Sequence, residues 1–570
     1  MNYKHERKFY TGLSYLCVCC VGVFILFHPT ILSNFAYMQA DPGDTRLNNY
    51  FLEHFFKIIS DRKYIGDLWS PPFFYPIKNV LAFSDNLFAS APIYAILRIF
   101  FPSDISFQLW MIIVCIFCFM SFSFLLRYYK VSHIVTMLGA FLFAFGLIRN
   151  NAIYHQQLLP EFFTPFAFMN SWIFFNKPSK LHFNLVLLFI YLQLLAGIYL
   201  GWFLIFSLTI FFTIGYLLNR ENLNKFIIDC SYNYKQYTLI ICFWLWLNYI
   251  TFLPYIKAKG ELGGRTWEQV YIGIPKVSSW FSVPRGNFWF PALNAAVQDS
   301  QTVIEPNMFP GFIVFLLIVL CLYTLVFKKK LLNSEKFLLL KVCLGTFFTI
   351  FILSTNLFSE FSLWRIIYEI VPGASIIRAV TRISIIAYFY IILAGSVCLD
   401  CLLKSSLVKK HLRSIILVIL FAWCFIEQPV IELNSYDKSL YAQEISEIKE
   451  LISKTTCQTA YVFLEPGLDP KIPANVTNLS AMWAGIETNI PVINGYSGNA
   501  PRFYGDSARS KTANEIFEWL RTNGKYNYSV CLIARQNMEN PFNIPSDYFF
   551  TKITSSAGRF NCFKLHSPSN

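Results

Sequence analysis

The run Asp41-Pro42-Gly43-Asp44-Thr45-Arg46 sets two carboxylates and a guanidinium directly after the first apolar stretch of the chain. A carboxylate so placed can take the proton from an attacking hydroxyl, which is general-base chemistry. Two carboxylates can instead share a divalent cation that neutralises a departing diphosphate. The same residues also read as a turn whose side chains cap a helix over 45–58. Capping accounts for one Asp, but hardly for both together with Arg46.

Four further places carry candidate chemistry. Asp85, in Phe83-Ser84-Asp85-Asn86, either caps the apolar piece at 87–101 or meets substrate. The segment from Arg149 to Glu161 holds His155, Gln156 and Glu161 at a span boundary, where they can bind sugar hydroxyls or a phosphate or simply be wetted. Arg378 and Arg382 are spaced as neighbours one helical turn apart at the start of a span. Two guanidiniums on one face suit bidentate phosphate binding, and they suit headgroup snorkelling almost as well. Arg265, in Gly263-Gly264-Arg265-Thr266-Trp267, is a further substrate-binding candidate.

The elements that must position these residues follow from composition. Of 570 residues, 55% are hydrophobic and only 14% charged, against roughly 25% charged in soluble domains. Apolar runs near the ~20 residues that cross a bilayer recur throughout. The formal charge of +14 suggests nucleic acid at first sight. Its distribution argues otherwise, because Lys and Arg gather in short gaps between apolar runs, the pattern of cytoplasmic loops.

A basic N-terminus precedes an apolar run over 11–33, too long for a signal-peptide core and so a retained span. Basic gaps at 127–130, 177–180, 220–235, 328–336 and 404–413 are then inside. Spans are expected at 104–126, 133–149, 160–176, 182–198, 200–218, 237–256, 309–327, 337–354, 381–402 and 413–428, making about eleven with the first. The apolar stretch 181–218 is folded into a hairpin around Gly197 and Gly201. Outer loops fall at 34–103, 257–308 and 355–380, the last with an amphipathic interfacial segment over 361–370.

An odd span number puts the tail outside. The expected division is a transmembrane domain over 1–432, with its large first outer loop at 34–103, and a small extracytoplasmic α/β domain over 433–570. In the tail, helical spacing marks 439–453 and 512–522, and strands are expected at 460–464 and 529–534. Most of the 15 Cys lie in or beside apolar segments as small fillers. Cys457, Cys531 and Cys562 lie in the tail, where two of the three can pair in an oxidising compartment.

Several of these motifs recur together elsewhere. Asp41-Pro-Gly-Asp44-Thr-Arg-Leu-Asn-Asn-Tyr50, Phe73-Phe-Tyr-Pro76 with Asn79 and Leu81-Ala-Phe-Ser-Asp-Asn86, Arg149…His155-Gln-Gln-Leu-Leu159, Pro372-Gly373…Arg378…Arg382 and Asn494-Gly-Tyr-Ser-Gly498…Pro501 stand in that order. In this the chain resembles bacterial multi-span membrane proteins placed with the GT-C glycosyltransferases, over nearly its whole length. The resemblance implies a GT-C-like, all-α polytopic membrane domain and an inverting transferase of the bacterial inner membrane, with the N-terminus inside. It implies transfer of a sugar from a polyprenyl-phosphate donor to an envelope glycan, lipid or protein on the periplasmic face. Asp41 or Asp44 would then be the acidic catalytic residue, with a divalent metal possible at these two. Arg378 and Arg382 would meet the donor phosphate. Where that group usually has adjacent acids, this chain has Asp-x-x-Asp. A transporter or flippase, or a polymerase or ligase, of lipid-linked saccharides shares the same placement.

Overall fold

A computed structural model describes residues 2–357, 362–464, 476–545, 548 and 550–566. The chain is mostly helical with a small C-terminal sheet, and among the described residues seven helices are long and apolar enough to cross a membrane. They are Tyr10–Leu32, Ser103–Tyr128, His133–Asn150, Ile198–Leu218, Tyr234–Leu262, Ser334–Ser354 and Val380–Lys404. Lys180–Ala196 and Phe312–Phe327 are apolar but shorter. Thr164–Asn176, where a span was expected, has 13 residues, which at ~1.5 Å each cover about 20 Å, less than the ~30 Å hydrocarbon core.

The hairpin expected in 181–218 is present. The helix Lys180–Ala196 stops at Gly197, whose extended backbone (φ −178°, ψ 114°) is followed at once by Ile198–Leu218. A Cβ on Gly197 would fall 2.5 Å from the Gln157 carbonyl oxygen, and one on Gly201 would fall 2.6 Å from Leu194 Cα. Small residues elsewhere allow similar approaches. Gly139 abuts Ser396, and Gly395 abuts Leu317, the device by which helices pack without a hydrophobic driving force. The helix Ile383–Lys404 is buried by protein along most of its length. Its Asp400 carboxylate accepts the Ser132 N–H at 2.9 Å, so it caps the helix His133–Phe145 while pairing with Lys404.

The chain separates into two compact units: residues 1–32, 110–250 and 264–434 in one, and 33–109, 251–263 and 435–570 in the other. The last segments of the two units meet at 434/435. The first loop, however, belongs with the tail rather than with the helical unit. Within the late loop, Trp364–Ile370 is helical, whereas Phe361 lies outside the described residues.

Among its described residues the second unit contains two sheets. In the smaller, β1 (Tyr37–Gln39) pairs antiparallel with β2 (Ser435–Asp437), Tyr37 opposite Asp437. The larger is built from β3 (Thr459–Val462), β4 (Ser529–Arg535), β5 (Phe550–Thr554) and β6 (Phe560–His566) in the order β3-β4-β6-β5. Only β3 and β4 are parallel, and the helices Thr477–Thr488 and Ala513–Thr522 lie in the connection between them, as a parallel crossover requires. The helix Asp44–Ser60 spaces Leu47, Tyr50 and Phe51 onto one buried face, where Tyr50 meets the rings of Phe73 and Trp483. The apolar piece expected at 87–101 is helical over Ala91–Arg98. Cys457 and Cys531 form the disulfide and Cys562 is a buried free thiol.

Gly201→Ala puts a methyl into the Leu194 backbone, and overpacking of this kind costs about 1–3 kcal/mol. The expected outcome is a lower melting temperature of the purified protein. Gly12→Ala, at a helical position with nothing within 4 Å, should not lower the melt, since alanine suits a helix interior better than glycine.

Candidate functional site

The acidic turn resolves into two different jobs. Asp41 Oδ1 accepts the backbone N–H groups of Gly43 (2.7 Å) and Asp44 (3.1 Å) at the start of the helix Asp44–Ser60. This Asx turn satisfies amides that have no partner within the helix. Asp44 is not needed for the turn, and its carboxylate accepts the Tyr496 hydroxyl at 3.4 Å. Burial and then the Asp44 and Asp41 charges raise the Tyr496 phenol above its ordinary value, so it stays protonated and donates. Gly43 permits the approach, since a Cβ there would lie 2.7 Å from the Tyr496 oxygen.

Arg46 turns inward. It is buried, bonds Ser480 Oγ at 2.8 Å and stacks over the Tyr441 ring at 4.3 Å, tying the helix Asp44–Ser60 to Thr477–Thr488 and Lys438–Thr455. Asp85 is buried close to Tyr255, whose hydroxyl donates to the Ser84 carbonyl at 2.8 Å. It does not cap a helix directly: the next helix begins at Ala91, after Ser90.

Three distant motifs thus meet in this unit. Asn494 accepts from Val462 N–H (2.7 Å) and donates to both the Val462 carbonyl and Asn478 Oδ1 (2.9 Å each), which anchors the loop to β3. Gly495 lies so close to Phe74 that a Cβ would sit 2.3 Å from its ring. Asn499 reaches the Phe83 carbonyl at 3.5 Å, and Tyr496 reaches Asp44. The loops around residues 41–46, 73–86 and 494–499 are therefore one local assembly.

In the other unit, His155, Glu305 and Arg382 come together. Arg382 donates from Nε and Nη2 to the two oxygens of Glu305 at 2.8 and 2.7 Å, a bidentate pair. His155 Nε2 lies 2.9 Å from Glu305 Oε1. The Arg382 guanidinium also sits over the Tyr199 ring at 4.9 Å. Burial pushes the Glu305 carboxyl up, but the Arg382 and His155 charges outweigh it and hold it well below its ordinary value.

Arg378 and Arg382 do not share a helical face. Ala379, with φ −96° and ψ 86°, stands outside the helix that begins at Val380. Arg378 is exposed while Arg382 is buried, and the Arg378 N–H donates to the Tyr199 hydroxyl at 3.1 Å. The second guanidinium near Arg378 is instead Arg265. Burial first and then the Arg378 charge lower the Arg265 pKa. Backbone bonds fix this placement: Arg265 N–H donates to Ser375 O at 3.0 Å, and Tyr368 Oη donates to Arg265 O at 2.8 Å. A Cβ on Gly273 would fall 1.8 Å from the Arg378 carbonyl oxygen, so this close approach requires glycine.

Gln156 and Glu161 lie inside the protein. Gln156 donates to the Ile153 carbonyl at 2.6 Å, and Glu161 pairs with the buried Arg149, which also holds the Phe143 and Leu158 carbonyls. Glu161 therefore neutralises Arg149 within a turn of the chain, in place of the exposed position at a span mouth that its sequence suggests. Glu305, unmarked in the sequence, borders a cavity of about 460 Å³ together with His155. Among the described residues no group of three or more His, Cys, Asp or Glu side chains stands together as a metal cluster. At the acidic turn, Asp41 and Asp44 are the residues that would hold a cation, with Asp41 Oδ1 already directed at two amides.

Neither the models of known protein families nor the curated proteins compared with the chain match it.

A carboxyl whose folded pKa is lowered binds its proton more weakly folded than unfolded, so its stabilisation is complete above the ordinary Glu value of 4.5 and is lost as pH falls below it. Thermal melts at stepped pH should therefore show an acid-dependent loss below about pH 4.5 in the native chain. Glu305→Gln should lower the neutral-pH melt and flatten that acid limb.

Proposed function

We propose that the protein is a GT-C-like glycosyltransferase of about eleven spans that moves a sugar, with inversion, from a polyprenyl-phosphate donor to a cell-envelope acceptor on the periplasmic face of the bacterial inner membrane. The observation that carries this reading is the division of labour in the acidic turn. Asp41 serves the helix N-terminus, and Asp44, not required there, lies where three motif-bearing loops converge beside the Tyr496 hydroxyl. Asp44 is the base that takes the acceptor hydroxyl proton as that oxygen attacks the anomeric carbon. The bond from that carbon to the donor phosphate breaks, and the phosphate leaves as an anion.

Within the helical unit, Arg265 and Arg378 are a pair of cations of the kind that binds an anionic phosphate. Arg382 has a different part, because Glu305 already balances its charge. Membrane-length apolar helices support the reading through the donor's insoluble tail. The reading needs no metal step.

Transfer from a citronellyl-phosphate-linked sugar by the purified chain tests this. Asp44→Asn should lower kcat by about 10²–10⁴-fold, the usual worth of a positioned base. Asp41→Asn should cost far less, because the asparagine carbonyl oxygen accepts the same two amides. Arg378→Ala should lower kcat/KM for the donor about 10²-fold. Equal activity of the Asp44→Asn and native proteins would rule out Asp44 as the base, and no transfer by the native protein would rule out the transferase.

A further inference from the structure

The cavity beside Glu305 contains groups that the transfer reaction does not use. Its wall includes Asn150, Tyr154, Arg285, Glu305, Asn307 and Glu432. At about 460 Å³ it falls within the ~300–1,000 Å³ of small-molecule sites. Its walls are fixed in place. Asn287 donates to the Glu427 and Pro429 carbonyls at 2.8 and 3.0 Å, and Ile431 N–H donates to Gly286 O at 3.1 Å, which latches the 284–287 turn against 427–431. Gln428 accepts Leu147 N–H at 2.6 Å and donates to Pro310 O at 3.2 Å. Gly286, at φ +82°, adopts a backbone that glycine favours, and a Cβ there would fall 2.6 Å from Glu432 N.

One residue of this wall has an unmet need. Asn150 is 1% exposed, and its Oδ1 is buried with no hydrogen-bond partner, while its amide nitrogen reaches only the Gln428 carbonyl, at 3.5 Å. A buried acceptor left unpaired costs roughly 1–3 kcal/mol, so a ligand hydroxyl donating to Asn150 Oδ1 would recover that cost. Glu305 is already paired with Arg382 and His155, so the wall offers a ligand one further charge of each sign, the Glu432 carboxylate and the Arg285 guanidinium, and no net cation for an anion. Carboxylates and amide oxygens accept hydroxyl protons, and amide nitrogens donate to hydroxyl oxygens.

We infer that this cavity binds a neutral, hydroxyl-rich saccharide unit, with Asn150 Oδ1 and the Glu432 carboxylate accepting its hydroxyls. The choice of a saccharide among polyols rests on the transferase reading, while the neutral, hydroxyl-rich character rests on the wall itself.

The test uses the full chain in lipid nanodiscs, free of sugar-headed detergent. Saturation-transfer NMR is run with the methyl glycosides of glucose, galactose, mannose and N-acetylglucosamine. At least one should show transfer that falls more than twofold in both Asn150→Leu and Glu432→Gln proteins. Glu432 is exposed, so the second variant remains informative if the first fails to fold. Absence of signal for all four, equal signals in native and variant proteins, or displacement of the glycoside by inorganic phosphate would overturn the inference. Displacement by the citronellyl-phosphate form of the same sugar assigns the cavity to the donor sugar; lack of it assigns the cavity to a free or acceptor saccharide. Absence of sugar transfer by the native protein would defeat the transferase reading and leave the glycoside binding intact.

Discussion

The charge balance at Glu305 governs the helical unit. Arg382 is 9% exposed and Glu305 21%, so neither charge is well solvated by water. A guanidinium held this deep needs a partner at hydrogen-bond distance, because desolvation otherwise costs several kcal/mol per ion. Glu305 meets that need with both oxygens and spends one of them on His155 as well. To reach Arg382, the loop carrying Glu305 is held by backbone bonds. Ile304 N–H donates to Ile272 O, Thr381 N–H donates to Gly273 O, and the Thr381 hydroxyl donates to Ile304 O. The same bonds place Glu305 on the cavity wall and beside Arg382 in the first turn after Val380.

A comparable constraint operates in the other unit at Asn494. One side chain satisfies both the N–H and the carbonyl of Val462 on β3 and also Asn478. The loop that follows is then placed so that Gly495 passes Phe74 and Tyr496 arrives at Asp44. Buried polar groups of this kind are stable when every partner is present. That explains why a motif of small and amide residues, rather than of apolar ones, occupies the position.

Many elements were legible from local pattern. The hairpin broke at Gly197 because an apolar run longer than one helix must turn back, and the turn passes so close to the Gln157 carbonyl oxygen that a Cβ would fall 2.5 Å from it. The tail helices Lys438–Thr455 and Ala513–Thr522 and the strands β3 and β4 fell where periodicity placed them. The strands β5 and β6 were missed; β5 alternates poorly and is exposed along most of its length. In the candidate site, the Asp41 turn was legible because an Asx turn is a local hydrogen-bond pattern. Glu305 was not, because an acid in Val303-Ile304-Glu305-Pro306 carries no periodic or motif signal. The Arg378–Arg382 spacing misled because Pro372-Gly373 and the bonds to Gly273 delay the helix start until after Arg378.

Composition and spacing alone determined the kind of solvent this chain needs, the helices that fill it and the presence of a polar α/β appendix. These are sums over neighbouring residues, and hydropathy or periodicity reports such sums directly. Tertiary structure alone decided which charges cancel, Arg382 with Glu305 and Arg149 with Glu161, and which cations meet something else, Arg46 the Tyr441 ring and Arg265 the charge of Arg378. The reason is physical. An ion pair depends on a separation of a few ångströms between residues as far apart in the chain as 305 and 382, and no local sum along the sequence contains that distance.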